Sequence, residues 1–329
     1  MGIGSAKSGA TVKVAITGGA GFIGSNLANT LESNGVDVTV IDNFSTGRQQ
    51  FLDEHGFAGR VVTLDLYSES DSLAKAIAGN DAVVHLAANA DVRWGWNHPR
   101  RDLEQNLVVT LNVCEAMRST GVRRLLFSST GSVYGEAQMI PTPETCPFPI
   151  QTSLYGASKA AAEGYLGAYA EAGELDVTIF RFVSIMGPRY THGHVIDFVR
   201  KLRTDPARLE ILGDGAQRKS YLDVTDCVAA ITQQIAVQER FEVYNLGCAD
   251  YCTVKQSAGW ICDRLGLSPT IDYTGGDRGW VGDNPFIWLD TKKITATGWQ
   301  PKFTIREAVE RTVDYVAGNP WILDIVDPR

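Results

Sequence analysis

The 329-residue sequence lacks the features that mark secreted, membrane-spanning and nucleic-acid-binding proteins. Its six cysteines include no CxxC pair, and its closest histidines, His192 and His194, have no further metal ligands nearby in sequence. No apolar run approaches the ~18 residues of a membrane-spanning helix, and no apolar stretch near the start resembles a signal peptide. A net charge of −8 without a long basic run argues against a nucleic-acid-binding surface. We therefore expect a cytoplasmic protein with free thiols and no metal, membrane or nucleic-acid partner.

The composition that remains is that of an ordinary globular protein, with 44% hydrophobic and 21% charged residues. The length is sufficient for two compact parts. We expect residues 1–10 to be a flexible leader, residues 11–180 to form one domain, and residues 181–329 to form mainly a second lobe. Segments near 221–247 and 286–296 are expected to return to the first domain.

A strand, a glycine-rich turn, a helix and a second strand follow one another near the start. The β-branched run TVKVAIT leads into GGAGFIG, an amphipathic segment follows, and VDVTVID forms the next strand. The spacing of Gly18, Gly21 and Gly24 is typical of a turn that places a pyrophosphate at a helix N-terminus. Asp42 ends the second strand, where a carboxylate can accept both ribose hydroxyls of an adenosine and would repel a 2′-phosphate. The pattern therefore predicts a dinucleotide site that favours NAD over NADP.

Further strands alternate with helices along the first half of the chain. Strands are predicted at 60–66, 81–88 and 122–130, and an amphipathic helix at 102–121. This order indicates an α/β, Rossmann-like, doubly wound parallel sheet with ligands at the carboxyl ends of its strands. Strands and helices after residue 180 predict a smaller mixed α/β lobe.

Chemistry-bearing side chains follow the strand at 122–130. That strand ends in Ser128, Ser129 and Thr130, and the segment SLYGASKAAAE then carries Tyr155 and Lys159 four residues apart, on one face of a helix. A tyrosine near pKa ~10 is a poor base at neutral pH. A lysine cation and a positive nicotinamide ring nearby would favour its phenolate. Such a tyrosine could take the proton of a sugar hydroxyl while the carbon gives up its hydride.

Together these motifs resemble those of the extended short-chain dehydrogenase/reductases that act on nucleotide sugars, and most of all the UDP-glucose (UDP-galactose) 4-epimerases. They are the glycine turn, HLAA, SST with VYG, YGASK, RFVSIMGPR, HGHVIDF, GDGAQRKSYLDVTD and DRGWVGD. The resemblance extends over roughly residues 11–315. It implies transient oxidation of a nucleotide sugar at C4, rotation of the 4-keto sugar and return of the hydride, with NAD unchanged overall. It also implies a homodimer formed through helices at 102–119 and 155–172.

The resemblance assigns roles to individual residues. Tyr155 is implied as the base and acid, Lys159 as the residue that orients it and binds the nicotinamide ribose, and Thr130 as the catalytic Ser/Thr. The residues implied at NAD are Gly18, Gly21, Phe22, Ile23, Gly24, Asp42, Asn43, Asp65, Leu66, Ala87, Ala88 and Asn106, with Tyr155 and Lys159. The residues implied at the nucleotide sugar are Thr130, Ser132, Ser184, His194, Lys219, Tyr221 and Arg278.

Some positions depart from the patterns of related enzymes. Related 4,6-dehydratases carry an Asp-Glu pair where this chain has Gly131 and Ser132, so no carboxylate is available there for elimination. Ser184 replaces a usual asparagine, and Trp94 and Trp96 lie where relatives have small or polar residues. The alternatives are another nucleotide-sugar enzyme, including a UDP-glucuronate or N-acetyl-sugar epimerase or a keto-sugar-forming oxidoreductase or dehydratase, and a non-catalytic NAD-binding regulator. The presence of both Tyr155 and Lys159 argues against the regulator.

Overall fold

The structure, a computed structural model, describes residues 11–92, 95–147, 150–279, 284 and 286–325. The strands in these ranges are β1 (Lys13–Thr17), β2 (Asp37–Asp42), β3 (Arg60–Thr63), β4 (Ala82–His85), β5 (Arg124–Thr130), β6 (Asp176–Phe182), β7 (Ser184–Met186), β8 (Arg208–Ile211), β9 (Arg218–Lys219), β10 (Tyr221–Asp223), β11 (Phe241–Leu246), β12 (Cys252–Thr253), β13 (Thr270–Tyr273) and β14 (Phe286–Ile287).

The helices are listed in chain order as α1 (Phe22–Ser33), α2 (Gln49–Asp53), α3 (Ser70–Ile77), α4 (Pro99–Asp102), α5 (Val109–Thr120), α6 (Leu154–Glu171), α7 (His194–Thr204), α8 (Val224–Ile235), α9 (Val254–Leu265), α10 (Lys292–Thr295) and α11 (Ile305–Gly318). A π-helix (Leu103–Val108) joins α4 to α5. Two 3₁₀-helices (Gly131–Tyr134 and Pro320–Asp324) complete the regular structure of the described ranges.

The chain divides into two compact units, and the first contains residues up to Val133 together with Ser153–Arg181 and Val228–Tyr244. Its sheet has seven strands in the order β11-β6-β5-β4-β1-β2-β3, and the pairs among β1 to β5 are parallel. The strand order reverses direction at β1, as in doubly wound folds that bind ligands outside the carboxyl ends of their strands. The predicted Rossmann-like sheet is therefore present.

The core of this unit explains why the predicted strands form. Strands β1, β2, β4 and β5 are almost entirely buried, as expected for a parallel sheet that is covered on both faces. Leu73 of α3, Met117 of α5 and Leu166 of α6 pack with Phe127 of β5 in one fully buried cluster. The helices thus bury their apolar faces against the sheet and leave the ends of the strands for loops.

The second unit contains Tyr134–Thr152, Phe182–Cys227 and the chain from Asn245 onward. It has three small sheets, β10-β7, β12-β9-β14 and β13-β8, in agreement with the predicted mixed α/β lobe. Capping boxes at Thr253 and Thr304 start α9 and α11. The Arg311 side chain of α11 donates to the fully buried carboxylate of Asp223 at 2.9 Å, which joins α11 to β10.

Three predicted elements differ from those observed. The strands predicted at 60–66 and 81–88 end at Thr63 and His85, because the chain leaves the sheet there to form the loops at its carboxyl edge. The predicted helix at 102–121 is interrupted, because Asp102 ends α4, residues 103–108 form a π-helix and the α-helix resumes at Val109.

No helix within the described residues is long and apolar enough to cross a membrane. All six cysteines are free and buried. The predicted leader at 1–10, Trp94 and much of the DRGWVGD segment (residues 280–283) lie outside the described residues.

Candidate active site

The glycine turn lies where β1 ends and α1 begins. Gly18 has a φ of +69°, and a Cβ there would lie 2.7 Å from the backbone nitrogen of Ala87. A Cβ on Gly24 would lie 2.1 Å from the carbonyl oxygen of Gly18. Gly18 therefore lets the loop after β4 approach the turn, and Gly24 lets the helix pack onto it.

The start of α1 fits a dinucleotide phosphate. Gly21 is its N-cap residue, makes no side-chain cap, and is followed by a first turn without acidic residues. Phe22 and Ile23 open the helix and are half-buried. The N-terminus of this twelve-residue helix attracts anions through its backbone N–H groups and its dipole. A pyrophosphate could therefore bind there without a rearrangement of the backbone.

Asp42 lies at the end of β2, beside the glycine turn. One of its carboxylate oxygens accepts the N–H of Ala20 at 2.9 Å and the other accepts the N–H of Phe44 at 2.8 Å. Burial raises the pKa of this carboxyl, although both hydrogen bonds and the Arg48 guanidinium act in the opposite direction. Each carboxylate oxygen has a second lone pair, so Asp42 can anchor the loop and still accept a ribose hydroxyl.

Asn43 and Asp65 meet at the ends of β2 and β3. The Asn43 amide donates to Asp65 at 3.1 Å, and the backbone N–H of Tyr67 donates to the other Asp65 oxygen at 2.9 Å. Burial raises the pKa of Asp65, but these hydrogen bonds outweigh it and hold the pKa below its ordinary value. Leu66 follows as a buried residue, and Asn112 donates to its carbonyl at 2.8 Å.

A buried chain of hydrogen bonds runs from the loop after β4 to Asn106. The Thr17 hydroxyl lies 2.7 Å from His85 Nδ1, and His85 Nε2 lies 3.1 Å from the Thr110 hydroxyl. Thr110 donates its own proton to the Asn106 carbonyl at 2.6 Å, so His85 Nε2 must carry the proton and Nδ1 must accept from Thr17. Burial, and secondarily the Lys159 charge, lowers the pKa of His85 to about 3, so the ring is neutral. Ala87, which donates weakly to the Thr17 hydroxyl at 3.5 Å, begins this chain.

Tyr155 lies in the first turn of α6 and faces the end of β5. Ser153 caps this helix by accepting the N–H of Gly156 at 3.0 Å. Tyr155 is hydrogen-bonded to the Thr130 side chain, and the Thr130 hydroxyl also accepts the N–H of Ser132 at 3.1 Å. Burial raises the pKa of Tyr155 to about 12, the Thr130 hydrogen bond lowers it, and the nearby Asp102 raises it. These surroundings together favour the protonated phenol at neutral pH.

Lys159 lies one turn further along α6 and is almost fully buried. Its Nζ donates to the carbonyl of Ser128 at 2.9 Å and lies 4.6 Å from the centre of the Phe127 ring. Burial lowers the pKa of Lys159 to about 7, while the Glu163 carboxylate acts in the opposite direction. The structure thus brings Tyr155 and Lys159 to the carboxyl end of β5, where the helix face shared by these residues was predicted to place them.

Asn106 lies in the π-helix and connects the loop after β4 to α6. Its side chain accepts the N–H of Asn89 at 2.9 Å and donates to the Ser158 hydroxyl at 2.9 Å. Ser158 in turn donates to the carbonyl of Tyr155 at 2.8 Å. Ala88 lies half-buried in the same loop, between Ala87 and Asn89.

Asp102, at the end of α4, accepts from two of these amides through one oxygen. Its Oδ1 accepts from Asn89 Nδ2 at 2.8 Å and, at 3.4 Å, from Asn106 Nδ2. Its Oδ2 is buried and has no hydrogen-bond partner among the described residues, and a Cβ on Gly95 would lie 2.6 Å from that oxygen. Burial raises the pKa of Asp102, and the Asn89 hydrogen bond opposes this shift.

Several of the predicted sugar-binding residues lie in the second unit. Ser184 begins β7, is exposed and pairs in register with Tyr221 of β10. The His194 ring lies 5.2 Å from the Tyr221 ring and 2.8 Å from the Ser257 hydroxyl. Burial, and secondarily Lys219, lowers the pKa of His194 to about 4. Tyr221, His194 and Lys219 therefore form one group, in which Lys219 also donates to the carbonyl of Asn284.

Arg278 is held by a carboxylate in the same unit. Its guanidinium lies 2.7 Å from Glu136, which follows the VYG segment, and both side chains are partly exposed.

Residues missed by the sequence-based predictions lie directly behind the predicted site. They are Thr17, His85, Asn89, Asp102, Thr110, Glu163 and Arg181; Ser129 was predicted at the strand end but was assigned no role. Only helical spacing could have pointed to some of them, since Glu163 follows Lys159 by four residues and Asp102 precedes Asn106 by four. Within the described ranges, no group of three His, Cys, Asp or Glu residues could hold a metal ion.

Comparisons with known proteins agree with this geometry. Residues 14–247 match the model of the NAD dependent epimerase/dehydratase family. The UDP-glucose 4-epimerase of Corynebacterium glutamicum is 31% identical over 317 residues, which cover 91% of this chain and 94% of that protein. Among solved structures, a UDP-galactose 4-epimerase has a TM-score of 0.83 and 37% identity, over 94% of this chain and 100% of that one. The UDP-glucose 4-epimerase of Thermus thermophilus in complex with NAD also has a TM-score of 0.83, with 31% identity and the same coverage.

These similarities confirm the predicted fold class and NAD as the family's cofactor. The family match spans well over half of the chain, and the structural similarity extends over nearly all of it. The chain therefore belongs to the NAD dependent epimerase/dehydratase family.

Proposed function

We propose that the protein is an NAD-dependent nucleotide-sugar 4-epimerase that interconverts UDP-glucose and UDP-galactose. The observation that carries the proposal is the placement of Tyr155 and Lys159 on one face of α6, against Thr130 and Ser128 at the end of β5. This arrangement lies in the same unit as a glycine turn that fits a dinucleotide. The names of the relatives support the same activity.

The residues that would hold NAD are the predicted set at the carboxyl ends of β1 to β4. Gly18, Gly21 and Gly24 would receive the pyrophosphate at the start of α1. Asp42 would accept the adenosine ribose hydroxyls, and Asp65 with Leu66 would lie at the adenine. Lys159 would bind the nicotinamide ribose.

Tyr155 is the proposed base and acid at the substrate C4 hydroxyl. When bound, NAD supplies the acceptor that takes the C4 hydrogen with its electron pair and later returns it. Tyr155 takes the hydroxyl proton during oxidation and gives it back to the same oxygen after the 4-keto sugar has rotated in the site. Thr130 holds that oxygen by a hydrogen bond while it also contacts Tyr155.

Lys159 has the task of making the Tyr155 phenolate accessible near neutral pH. With the pKa of Tyr155 near 12, a neighbouring positive charge is needed to stabilise the ionised form. The Lys159 ammonium and the positive nicotinamide ring both supply such a charge. The buried position of Lys159 strengthens its effect because little water screens it.

The second unit would hold the nucleotide part of the substrate. Lys219 and Arg278 are the proposed cations for the diphosphate, and Ser184, His194 and Tyr221 are proposed to line the sugar or nucleoside. Ser132 would lie at the sugar beside Thr130. The Glu136 carboxylate pairs with Arg278, so a diphosphate would compete with it for the guanidinium.

Epimerisation is favoured over dehydration because positions 131 and 132 supply no carboxylate. Elimination of water needs an acid and a base beside the sugar, and this chain has Gly131 and Ser132 there. A 4-epimerase needs only the tyrosine to move the proton. A second candidate substrate class for the same reaction is UDP-glucuronate or an N-acetylated UDP-sugar, because Ser184 is shorter than the usual asparagine and has one hydrogen-bond donor fewer.

The proposal includes a cytoplasmic homodimer. Six free cysteines are consistent with a reducing compartment. Tyr165 of α6 and Leu103 at the start of the π-helix are large hydrophobic residues that are about half exposed. Burial of this surface against a second copy would cover them.

The direct test is proton NMR of the purified protein with UDP-galactose and no added cofactor. We expect UDP-glucose to appear, because NAD would be carried by the protein and regenerated in each turnover. Tyr155→Phe is the matched variant, expected to retain NAD and lose at least about 100-fold in turnover. The proposal would be refuted if NAD-loaded protein converted none of UDP-galactose, UDP-glucuronate and UDP-N-acetylglucosamine. Near-normal turnover by Tyr155→Phe would also refute it.

A further inference from the structure

A buried ion pair lies behind Lys159 and has no part in the proposed proton transfer. Glu163 follows Lys159 by one turn of α6, and Arg181 lies on β6. Arg181 donates to both Glu163 oxygens, at 2.7 Å from its terminal nitrogen, and both side chains are 6% exposed. The pair fastens α6 to the sheet directly below the site.

Ser129 ties the same carboxylate to β5. Its hydroxyl donates to Glu163 Oε1 at 2.5 Å, and the residue is buried. Ser129 lies between the two residues of β5 that contact the reactive face of α6. Ser128 accepts from Lys159, and Thr130 is hydrogen-bonded to Tyr155.

Three consecutive residues of one strand thus contact three successive turns of one helix. The contacts of Ser128 and Thr130 involve the reactive lysine and tyrosine, whereas the contact of Ser129 involves only Glu163. A one-residue displacement of α6 along β5 would break all three contacts. Glu163 is the member of this set that is also anchored to a third element, β6, through Arg181.

We propose that Glu163 is a positioning residue, whose carboxylate, held by Arg181 and Ser129, keeps α6 in register with β5 so that Lys159 and Tyr155 meet Ser128 and Thr130. The inference rests on the proposed function for the roles of Tyr155 and Lys159. Buried ion pairs are often no better for stability than apolar residues of similar size. Net stability therefore does not explain why this carboxylate is buried, whereas a role in placing the reactive side chains does.

The charge of Glu163 also acts on Lys159. The groups facing the Lys159 ammonium are Glu163 on its own helix, the neutral His85 on β4, and the Ser128 carbonyl with the Phe127 ring on β5. Glu163 raises the pKa of Lys159 against the effect of burial, while Arg181 faces Glu163 from β6. Loss of the Glu163 charge would therefore lower the pKa of Lys159 further, so the ammonium would be lost at lower pH.

The first variant is Glu163→Gln, which keeps the size of the side chain and removes its charge. We expect kcat to fall at least about tenfold, as displaced reacting groups cause, and KM to change less than about twofold. The alkaline limb of the kcat profile should move to lower pH by about one unit, since the ammonium is lost earlier. An unchanged kcat together with an unmoved limb would overturn the proposal.

Ser129→Ala and Arg124→Gln separate register from stability. Ser129→Ala removes only the link from Glu163 to β5, so kcat should fall about threefold to tenfold while the alkaline limb stays in place. Arg124 is buried at the opposite end of β5, where it donates to Thr178 and to the Gln234 carbonyl. Arg124→Gln should lower Tm and leave kcat and the pH profile unchanged. If Arg124→Gln lowers kcat as much as Glu163→Gln, loss of stability explains the effect and the proposal fails.

Glu163→Gln removes the carboxylate that faces the buried Arg181 guanidinium, so the double variant Glu163→Gln/Arg181→Gln is tested in parallel. Activity is expressed per bound NAD, and the double variant should still have a kcat reduced by about tenfold or more. A double variant with wild-type kcat would overturn the proposal.

A measurement that needs no turnover separates this inference from the proposed function. The dissociation constant of NAD, measured by protein fluorescence after removal of carried cofactor, should rise about tenfold in Glu163→Gln at pH 8.5 and change less at pH 6. If the wild-type protein epimerises no UDP-sugar but this difference is found, the proposed function fails and the positioning role stands. If Glu163→Gln and the wild-type protein have equal dissociation constants for NAD at pH 8.5 and also at pH 6, the positioning role is refuted.

Discussion

At the scale of single residues, the protonation state of Tyr155 depends on a few neighbours. Burial raises its pKa to about 12, the Thr130 hydrogen bond opposes that shift, and the Asp102 charge adds to it. From the sequence alone, Lys159 is expected to favour the phenolate. The structure adds that burial lowers the pKa of Lys159 to about 7, so its charge is lost as pH rises above neutral. The pH range of activity is therefore expected to be narrow.

Asp102 provides a test of this balance. Its negative charge raises the pKa of Tyr155, so Asp102→Asn should lower that pKa while the amide retains the contact with Asn89. Since Tyr155 would then lose its proton at lower pH, the acid limb of the kcat/KM profile should move down by up to about one pH unit. The measurement is the pH profile of UDP-galactose epimerisation.

Glu104→Gln is the control for Asp102→Asn. It removes a carboxylate from the adjacent π-helix, where Glu104 pairs with the exposed Arg100 at 3.8 Å. We expect no movement of the acid limb in this variant. A limb that stays in place in Asp102→Asn, or moves equally in both variants, would contradict the role assigned to Asp102.

The sequence was sufficient to predict that Tyr155, Lys159 and Thr130 lie together at the end of a strand, but not which residues lie behind them. Tyr155, Lys159 and Thr130 could be predicted because helical spacing and a strand end are local features. His85 could not, since its partners Thr17 and Thr110 are distant in sequence and meet it only in the folded protein. Asp102 lies one helical turn before Asn106, but that spacing does not indicate its second partner, Asn89. A polar residue inside an apolar strand, as His85 is in β4, has no sequence signature that distinguishes a structural hydrogen bond from a ligand.

At the scale of secondary-structure elements, the glycine turn depends on one close backbone contact. A Cβ on Gly24 would lie 2.1 Å from the Gly18 carbonyl oxygen, so Gly24→Ala must push α1 away from the turn. We expect the variant to lose bound NAD and to have a lower Tm, measured by absorbance at 260 nm and by thermal denaturation.

Gly259→Ala is the matched control for Gly24→Ala. Gly259 lies on an exposed part of α9, and a Cβ there would meet no atom within 4 Å. Because alanine is the better helix former, this variant should gain roughly 0.5–1 kcal/mol in stability and retain NAD. Retention of NAD by Gly24→Ala would show that the turn tolerates a side chain.

The sequence predicted the type and order of the elements better than their ends. Hydrophobic runs predicted β3 and β4 in the correct places, but the chain leaves the sheet after Thr63 and His85 to build loops at the site. Apolar residues continue past both points because the loops are themselves packed against the sheet, as the buried Leu66 shows. The π-helix at residues 103–108 escaped prediction because one extra residue barely disturbs the helical hydrophobic period.

At the scale of the whole molecule, two neutral histidines make the protein sensitive to acid. Burial is the main cause that lowers the pKa of His85 to about 3 and that of His194 to about 4. Between about pH 6.5 and pH 4 the unfolded chain binds protons at these residues and the folded chain does not. Stability is therefore lost as pH falls through this window, at up to about 1.4 kcal/mol per pH unit for each histidine, and is unaffected above it.

His85→Gln isolates one of these contributions. Glutamine can still accept from Thr17 and donate to Thr110, but it does not titrate. The variant should lose less stability than the wild type between pH 6 and pH 4.5, by about 1.4 kcal/mol per pH unit, in urea denaturation. Buried carboxyls such as Asp42, whose pKa is raised, act with the opposite sign but equally in both proteins. Parallel stability curves for the two proteins would contradict this account.

The π-helix at residues 103–108 contains one residue more than an α-helical turn would, in the same segment as Asn106. A π turn contains one more residue than an α turn, so residues 103–108 are where a single-residue deletion could be absorbed while α5 keeps its place on the sheet. The cost of such a deletion would fall on Asn106, which would rotate by about 100° around the helix axis and lose its contact with Ser158. A natural single-residue deletion at this point would thus preserve the fold but break the contact that joins the loop after β4 to α6, the helix that carries Tyr155.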